Sequence, residues 1–148
     1  MGLFDIFKRR KAPELIHPVF GRIVYADENT WELGTARFAP INKQVEVIIQ
    51  AGPEGPNESH LEFLAELEKR WPSLLIAWEP LLREALVDWI ENPKSGDIWK
   101  RVEVESIEVF PGLKADQQWD FMFWCEEAGH WPVITMIGWA PQACGIDG

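Results

Sequence analysis

The stretch GPNESHLEFLAELEKRWPSLLIAWEPLLREALVDWIEN, residues 55–92, decides the fold class because it carries the long helical pattern of the chain. Leucines and tryptophans recur along it at helical spacing, which predicts an amphipathic helical region. Asn57 or Ser59 can cap its start by accepting a free backbone N–H. Pro72 ends a first segment or starts the next, and Pro80 lies inside the pattern, so we expect a kink or a split into two helices.

The segments on both sides of this region alternate with a period of two, which is typical of strands. Short connections favour antiparallel pairing. Near Glu105–Ser106 the alternation of apolar and polar residues shifts by one position, which predicts a bulge. Residues 13–148 are therefore predicted to form a single α+β domain, an antiparallel sheet of about six strands with kinked amphipathic helices packed on one face. Three strands precede the helical region and three follow it: VFGRIVYA (19–26), WELGTARFAP (31–40), QVEVIIQA (44–51), KRVEVESIEVF (100–110), WDFMFWCEE (119–127) and WPVITMIGWA (131–140).

The chain is strongly acidic. Its net charge is −10 over 148 residues, and leaving out residues 1–11 leaves 10 basic and 23 acidic residues. Such a body repels phosphate backbones, and no interleaving of aromatic and basic residues offsets this, so we expect no nucleic-acid binding. The acidic balance suits a basic protein partner.

The first residues, MGLFDIFKRRK, place four apolar side chains before a block of four cations. Weak membrane contact through residues 1–11 is physically possible. The acidic body would be repelled from an anionic surface, however, so we expect residues 1–12 to form a leader that packs on the domain. No signal peptide and no apolar run long enough to span a bilayer is recognised. We therefore expect a cytoplasmic protein with Cys125 and Cys144 reduced.

The segment FMFWCEEAGHWPV, residues 121–133, carries the side chains that most resemble an active site. Cys125 and His130 lack the spacings of zinc motifs. The carboxylates of Glu126 and Glu127 disfavour a thiolate nucleophile, and no glycine-rich nucleotide motif is present. We predict a hairpin with no catalytic residue, no metal and no cofactor, in which Cys125 is a small buried strand residue.

Several segments resemble a bacterial family of small domains of unknown function: HPVFGRIVY (17–25), WELGTARF (31–38), KQVEVIIQA (43–51), GPNESHLEFLAEL (55–67) and FMFWCEEAGHWPVITMIG (121–138). That family shows an opening Phe-Gly strand, a Trp-Glu-Gly strand, an amphipathic helix and a late Cys strand with Glu-His-Gly. Here the glycine of the second motif is Gly34, after Leu33, and His130 follows Gly129. The resemblance implies an α+β fold, a bacterial origin and an accessory or immunity-like role, with no activity to transfer.

Nine tryptophans are well above the usual number for this length. Any that are exposed together would mark a binding site, because aromatic residues dominate interface energetics. The candidates for a partner or ligand surface are Trp31, Trp124, His130, Trp131 and Trp139. We expect a non-enzymatic protein-interaction domain. The alternative is a small-molecule-binding domain or an enzyme with a tryptophan-lined pocket near the last hairpin.

Overall fold

The described residues form one mixed β-sheet of eight strands. The computed structural model describes residues 12–94 and 97–148, so the predicted leader lies, except for residue 12, outside the described residues. The strands lie side by side in chain order, and each one therefore pairs with its neighbours in sequence. They are β1 (Glu14–His17), β2 (Gly21–Asp27), β3 (Thr30–Phe38), β4 (Lys43–Gln50), β5 (Glu103–Val109), β6 (Gln118–Trp124), β7 (Trp131–Ile137) and β8 (Ala140–Asp147), with the helix α1 (Glu58–Leu86) between β4 and β5.

The sheet is mixed because β4 and β5 run parallel, with Glu46 opposite Ser106 and Ile49 opposite Val109. The other neighbouring strands are antiparallel. The intervening helix α1 spans about 43 Å at 1.5 Å per residue and returns the chain to the end of the sheet where β4 begins. A strand that follows such a crossover runs parallel to the strand before it. The predicted antiparallel sheet is therefore wrong at the joint between β4 and β5.

The helix α1 is continuous over 29 residues, so the predicted set of kinked or split helices is wrong. It passes through Pro72 and Pro80, both of which are exposed. A proline cannot donate to the carbonyl four residues earlier, but on a solvent-facing side water can bind that carbonyl. Asn57 caps the start, because its side chain accepts from the N–H of Ser59 at 3.0 Å. Among the described residues, no helix is long and apolar enough to cross a bilayer.

Two strands that the sequence did not reveal form the edges of the sheet, so the predicted number of six strands is also wrong. The first, β1, has only four residues. The last, β8, consists largely of small and turn-forming residues, yet it pairs with β7 from Ala140 opposite Ile137 to Asp147 opposite Trp131. The predicted bulge is confirmed, since the pairing of β5 with β6 shifts just before Ser106.

The core lies between α1 and one face of the sheet. Trp78 of α1 is fully buried and packs on Phe121 of β6, with ring centroids 4.8 Å apart. Its indole Nε1 donates to the sulfur of Met136 in β7 at 3.3 Å. Tryptophan and phenylalanine bury large apolar areas, and these contacts hold α1 against the second half of the sheet. The opposite face of the sheet does not pack on α1.

Candidate functional site

The face of the sheet opposite α1 is covered by no helix of the described residues. Buried residues alternate along the central strands and point toward α1. The residues between them point the other way, at every second position of 44–50, 118–124 and 131–137, and at Glu103, Ser106 and Glu108. None of these outward residues is buried. We call this surface the open face.

A cluster of four apolar side chains lies on the open face at the β6–β7 hairpin. Met122 pairs with Val133 across the two strands. One step along the hairpin, the rings of Trp124 and Trp131 pack with centroids 4.8 Å apart and planes at 52°. All four side chains are half-buried, so each leaves apolar surface to solvent. We call this cluster the tryptophan patch.

The open face is acidic around the tryptophan patch. No outward position of β4, β5, β6 or β7 is a lysine or an arginine. Within the described residues, none of the four carboxylates at these positions forms an ion pair. Arg37 of the neighbouring strand β3 lies opposite Gln44 on the same face, but its guanidinium donates to Asn42, and no ion pair among the described residues joins it to these carboxylates. The carboxylates belong to Glu46, Glu103, Glu108 and Asp120.

The other three candidate surface residues lie away from the open face. Trp31 is fully buried in the core, and its Nε1 donates to the backbone carbonyl of Gly52 at 2.8 Å. It therefore offers no surface to a partner.

Trp139 and His130 lie on the side of the sheet that packs on α1. The ring of Trp139 stacks on Phe63 of α1, with centroids 5.5 Å apart and planes at 18°. The guanidinium of Arg70 lies 4.8 Å above the Trp139 ring. His130 packs edge-on against Trp89, with a centroid distance of 4.5 Å. Only Trp124 and Trp131 of the five candidates are brought together.

The hairpin segment 121–133 is organised as a structural turn. Cys125 is fully buried, and its N–H donates to the carbonyl of His130 at 3.0 Å. Glu127 accepts two hydrogen bonds of 2.7 Å from Arg101, and this pairing lowers the pKa of the Glu127 carboxyl. Glu126 accepts from Nε1 of Trp124 at 2.8 Å. Both carboxylates therefore position the turn, and the Cys125 side chain is packed inside the fold.

A cleft of about 800 Å³ lies where the parallel strands β4 and β5 end. It is therefore at the carboxyl-terminal edge of the central strands and not beside the outermost strands β1 and β8. Its walls are Asn29 of the β2–β3 turn, residues from 50–57 at the end of β4 and before α1, His60 of α1, and residues from 108–117 at the end of β5 and before β6. Crevices of this kind form at the carboxyl ends of parallel strands, where the connections diverge. The volume lies within the range of small-ligand sites. We call it the edge cleft.

A hydrogen-bond network fixes the polar wall of the edge cleft. Glu108 accepts from Nε2 of Gln50 at 2.9 Å. The Oε1 of Gln50 accepts from Thr30 at 3.5 Å, and its backbone carbonyl accepts from Nε2 of His60 at 2.8 Å. Partial burial raises the pKa of the Glu108 carboxyl; the hydrogen bond from Gln50 opposes this increase, and the nearby charge of Asp120 adds to it. The network therefore holds a carboxyl group in a partly desolvated position.

The edge cleft was not found from the sequence because its two polar walls are far apart in the chain. Gln50 ends one strand and Glu108 lies near the end of another. Only the parallel pairing of β4 with β5 brings these ends together. A prediction of parallel strands would have pointed to them, because the carboxyl ends of parallel strands meet at one edge.

Within residues 12–94 and 97–148, no three His, Cys, Asp or Glu side chains are grouped as a metal site would require. Comparison with known proteins finds no matching family model, no matching curated protein and no matching solved structure.

Proposed function

We propose that this chain is a non-enzymatic protein-interaction domain that binds a basic protein on the open face of its sheet. The observation that carries the proposal is the pair of half-buried rings of Trp124 and Trp131, placed among carboxylates on a face that no described helix covers. An apolar aromatic centre with a polar rim is the usual anatomy of a specific interface.

The charge of the open face indicates the chemistry of the partner. Carboxylates that form no ion pair repel one another, and a cationic partner reduces that repulsion. Complementary charge also steers a partner toward its docking face and raises the association rate. Because exposed charges are screened by ions, we expect the association to weaken with increasing salt concentration.

Site-directed photo-crosslinking tests the proposal. A benzoylphenylalanine at Thr135, on the open face, is irradiated in cells that make the protein. The matched control carries the same group at Ile76, which lies on the outer side of α1 and is 77% exposed. We expect a basic protein to be linked to the Thr135 variant and not to the Ile76 variant.

The linked protein is then purified and its affinity is measured at low and high salt. We expect the double variant Trp124→Ala/Trp131→Ala to bind at least about tenfold more weakly, as for the loss of interface hot spots. A linked protein that is acidic, an affinity independent of salt, or equal linking from both positions would contradict the proposal.

The alternative function, small-molecule binding, is favoured by a second cavity. This cavity of about 390 Å³ is lined by Trp71, Trp99 and Phe123 among other residues, at the end of the sheet where β4 and β5 begin. Its aromatic walls and volume suit a small apolar ligand. A compound that co-purifies with the protein and is lost on Trp99→Ala substitution would support this alternative.

A further inference from the structure

The edge cleft is continuous with the open face. Gln50 and Glu108 both point outward on the open face, and both also line the edge cleft. A partner bound across β4 and β5 therefore passes over the mouth of the cleft. A side chain of that partner can enter the cleft without any movement of the sheet.

Two carboxylates and one ammonium group line the edge cleft, so its charged side chains are on balance negative. Glu54 and Glu108 supply the carboxylates and Lys114 the ammonium. The amide side chains of the lining carry both donors and acceptors, and the oxygens of Asn29, Gln50 and Gln117 already accept hydrogen bonds within the protein. A ligand suited to such a lining carries a positive charge and N–H donors for the carboxylates. A guanidinium group has five N–H donors and no acceptor.

Glu108 is placed to pair with such a cation. Its Oε2 accepts from Gln50, which orients the carboxylate and leaves Oε1 as a further acceptor. Its partial burial and the nearby Asp120 both disfavour the ionised carboxyl, and a bound cation offsets both effects. A guanidinium is more weakly hydrated than an ammonium and so tolerates partial burial better.

We infer that the edge cleft binds the guanidinium group of an arginine side chain, with Glu108 as its carboxylate partner. The arginine belongs to the basic protein bound on the open face, so the inference rests on the proposed function. Phe110 and Pro111 also line the cleft and provide apolar surface for the aliphatic stem of the side chain. The volume of the cleft leaves room for the backbone that carries the arginine.

Binding of a small arginine probe to the purified protein tests this inference. N-acetyl-L-arginine amide is titrated while the amide resonances are followed by NMR. N-acetyl-L-citrulline amide is the matched neutral probe, because it has the same shape and no charge. N-acetyl-L-lysine amide carries the charge without the planar fork. We expect the arginine probe to shift the amides of Gly52 and Gly112 and the side-chain amide of Gln50, and to bind more tightly than the other two.

Two protein variants of one strand complete the experiment. Glu108→Gln keeps the shape of the side chain and is expected to weaken arginine binding at least about tenfold, as for a lost hydrogen bond to a charged group. Glu105→Gln removes an exposed carboxylate of the same strand, at the bulge and outside the cleft lining, and is expected to bind the probe as the wild type does. Equal binding of citrulline or lysine, no shift with arginine, or full binding by Glu108→Gln would each overturn the inference.

The outcomes separate this inference from the function on which it rests. If a basic protein binds the tryptophan patch but the arginine probe does not shift the cleft resonances, only the role of the edge cleft is wrong. If the probe binds at Glu108 but photo-crosslinking at Thr135 yields no basic protein, the guanidinium site stands and the proposed function is wrong.

Discussion

Replacing the prolines of α1 by alanine is expected to stabilise the protein. Inside a helix a proline costs about 3 kcal/mol relative to alanine, because it lacks an N–H and clashes with the preceding turn. Pro72 and Pro80 are exposed, so their removal loses little packing. The alanine variants also gain about 0.4–1 kcal/mol of unfolded-state freedom, which opposes the effect. We therefore expect Pro72→Ala and Pro80→Ala each to raise the free energy of unfolding by about 2 kcal/mol.

Urea unfolding followed by circular dichroism measures this gain as a shift of the midpoint to higher urea. The matched control is Pro40→Ala. This proline is also exposed, but it lies at the start of the short 3₁₀ turn Ala39–Ile41, where its fixed φ is favourable. We expect that variant to be slightly less stable than the wild type, by up to about 1 kcal/mol.

The result that would refute this reasoning is an unchanged or lower midpoint for Pro72→Ala. If the helix were split at Pro72, the proline would occupy the first turn of a second helix. Its missing N–H would then cost little. The alanine would only increase the conformational freedom of the unfolded chain, which lowers the free energy of unfolding. The sign of the effect therefore distinguishes one continuous helix from two.

Three further predictions concern single side chains. Glu108→Gln should raise the urea midpoint near pH 7 but not near pH 3.5. The pKa of Glu108 is raised in the folded protein, so the wild type loses stability as the pH rises above the ordinary range of glutamate. An equal gain at both pH values would contradict this. Gly138→Ala should lower the melting temperature more than Gly129→Ala. Both glycines have positive φ, which costs an alanine about 1–2 kcal/mol, but only at Gly138 would the added Cβ lie 2.7 Å from the carbonyl oxygen of Ala115; equal losses would be evidence against that clash. Burial raises the pKa of the Cys144 thiol to about 12, so iodoacetamide near pH 8 should label it only after unfolding in urea, and rapid labelling of the folded protein would rule this out.

Most of the strands could be predicted because their residues alternate strongly. QVEVIIQA and WDFMFWCEE place apolar residues at every second position, and both coincide with strands of the sheet. The bulge before Ser106 was also visible as a slip in this alternation. These features depend on residues that are close together in the chain, so the amino-acid sequence is sufficient to predict them.

The direction of β5 could not be predicted in the same way. It depends on whether α1 passes through Pro72 and Pro80, and that in turn depends on which side of the helix faces solvent after packing. The edge strand β8 was missed because Ala143 and Gly145 give no alternation of large and polar side chains. The edge cleft was missed for the same reason as the direction of β5, since its walls meet only through that pairing.

The parallel pairing of β4 with β5 also divides the sheet into two halves, β1–β4 and β5–β8, and this division bears on the order of folding. On each side of it, four consecutive strands are joined by short turns, so each half can form from contacts that are local in sequence. The pairing of β4 with β5 is different, because α1 and its flanking segments must be ordered before these strands meet. Closing a long loop is slower and entropically more costly than forming a hairpin. We therefore expect the two halves to form early and the joint at which they meet, which also creates the edge cleft, to close last.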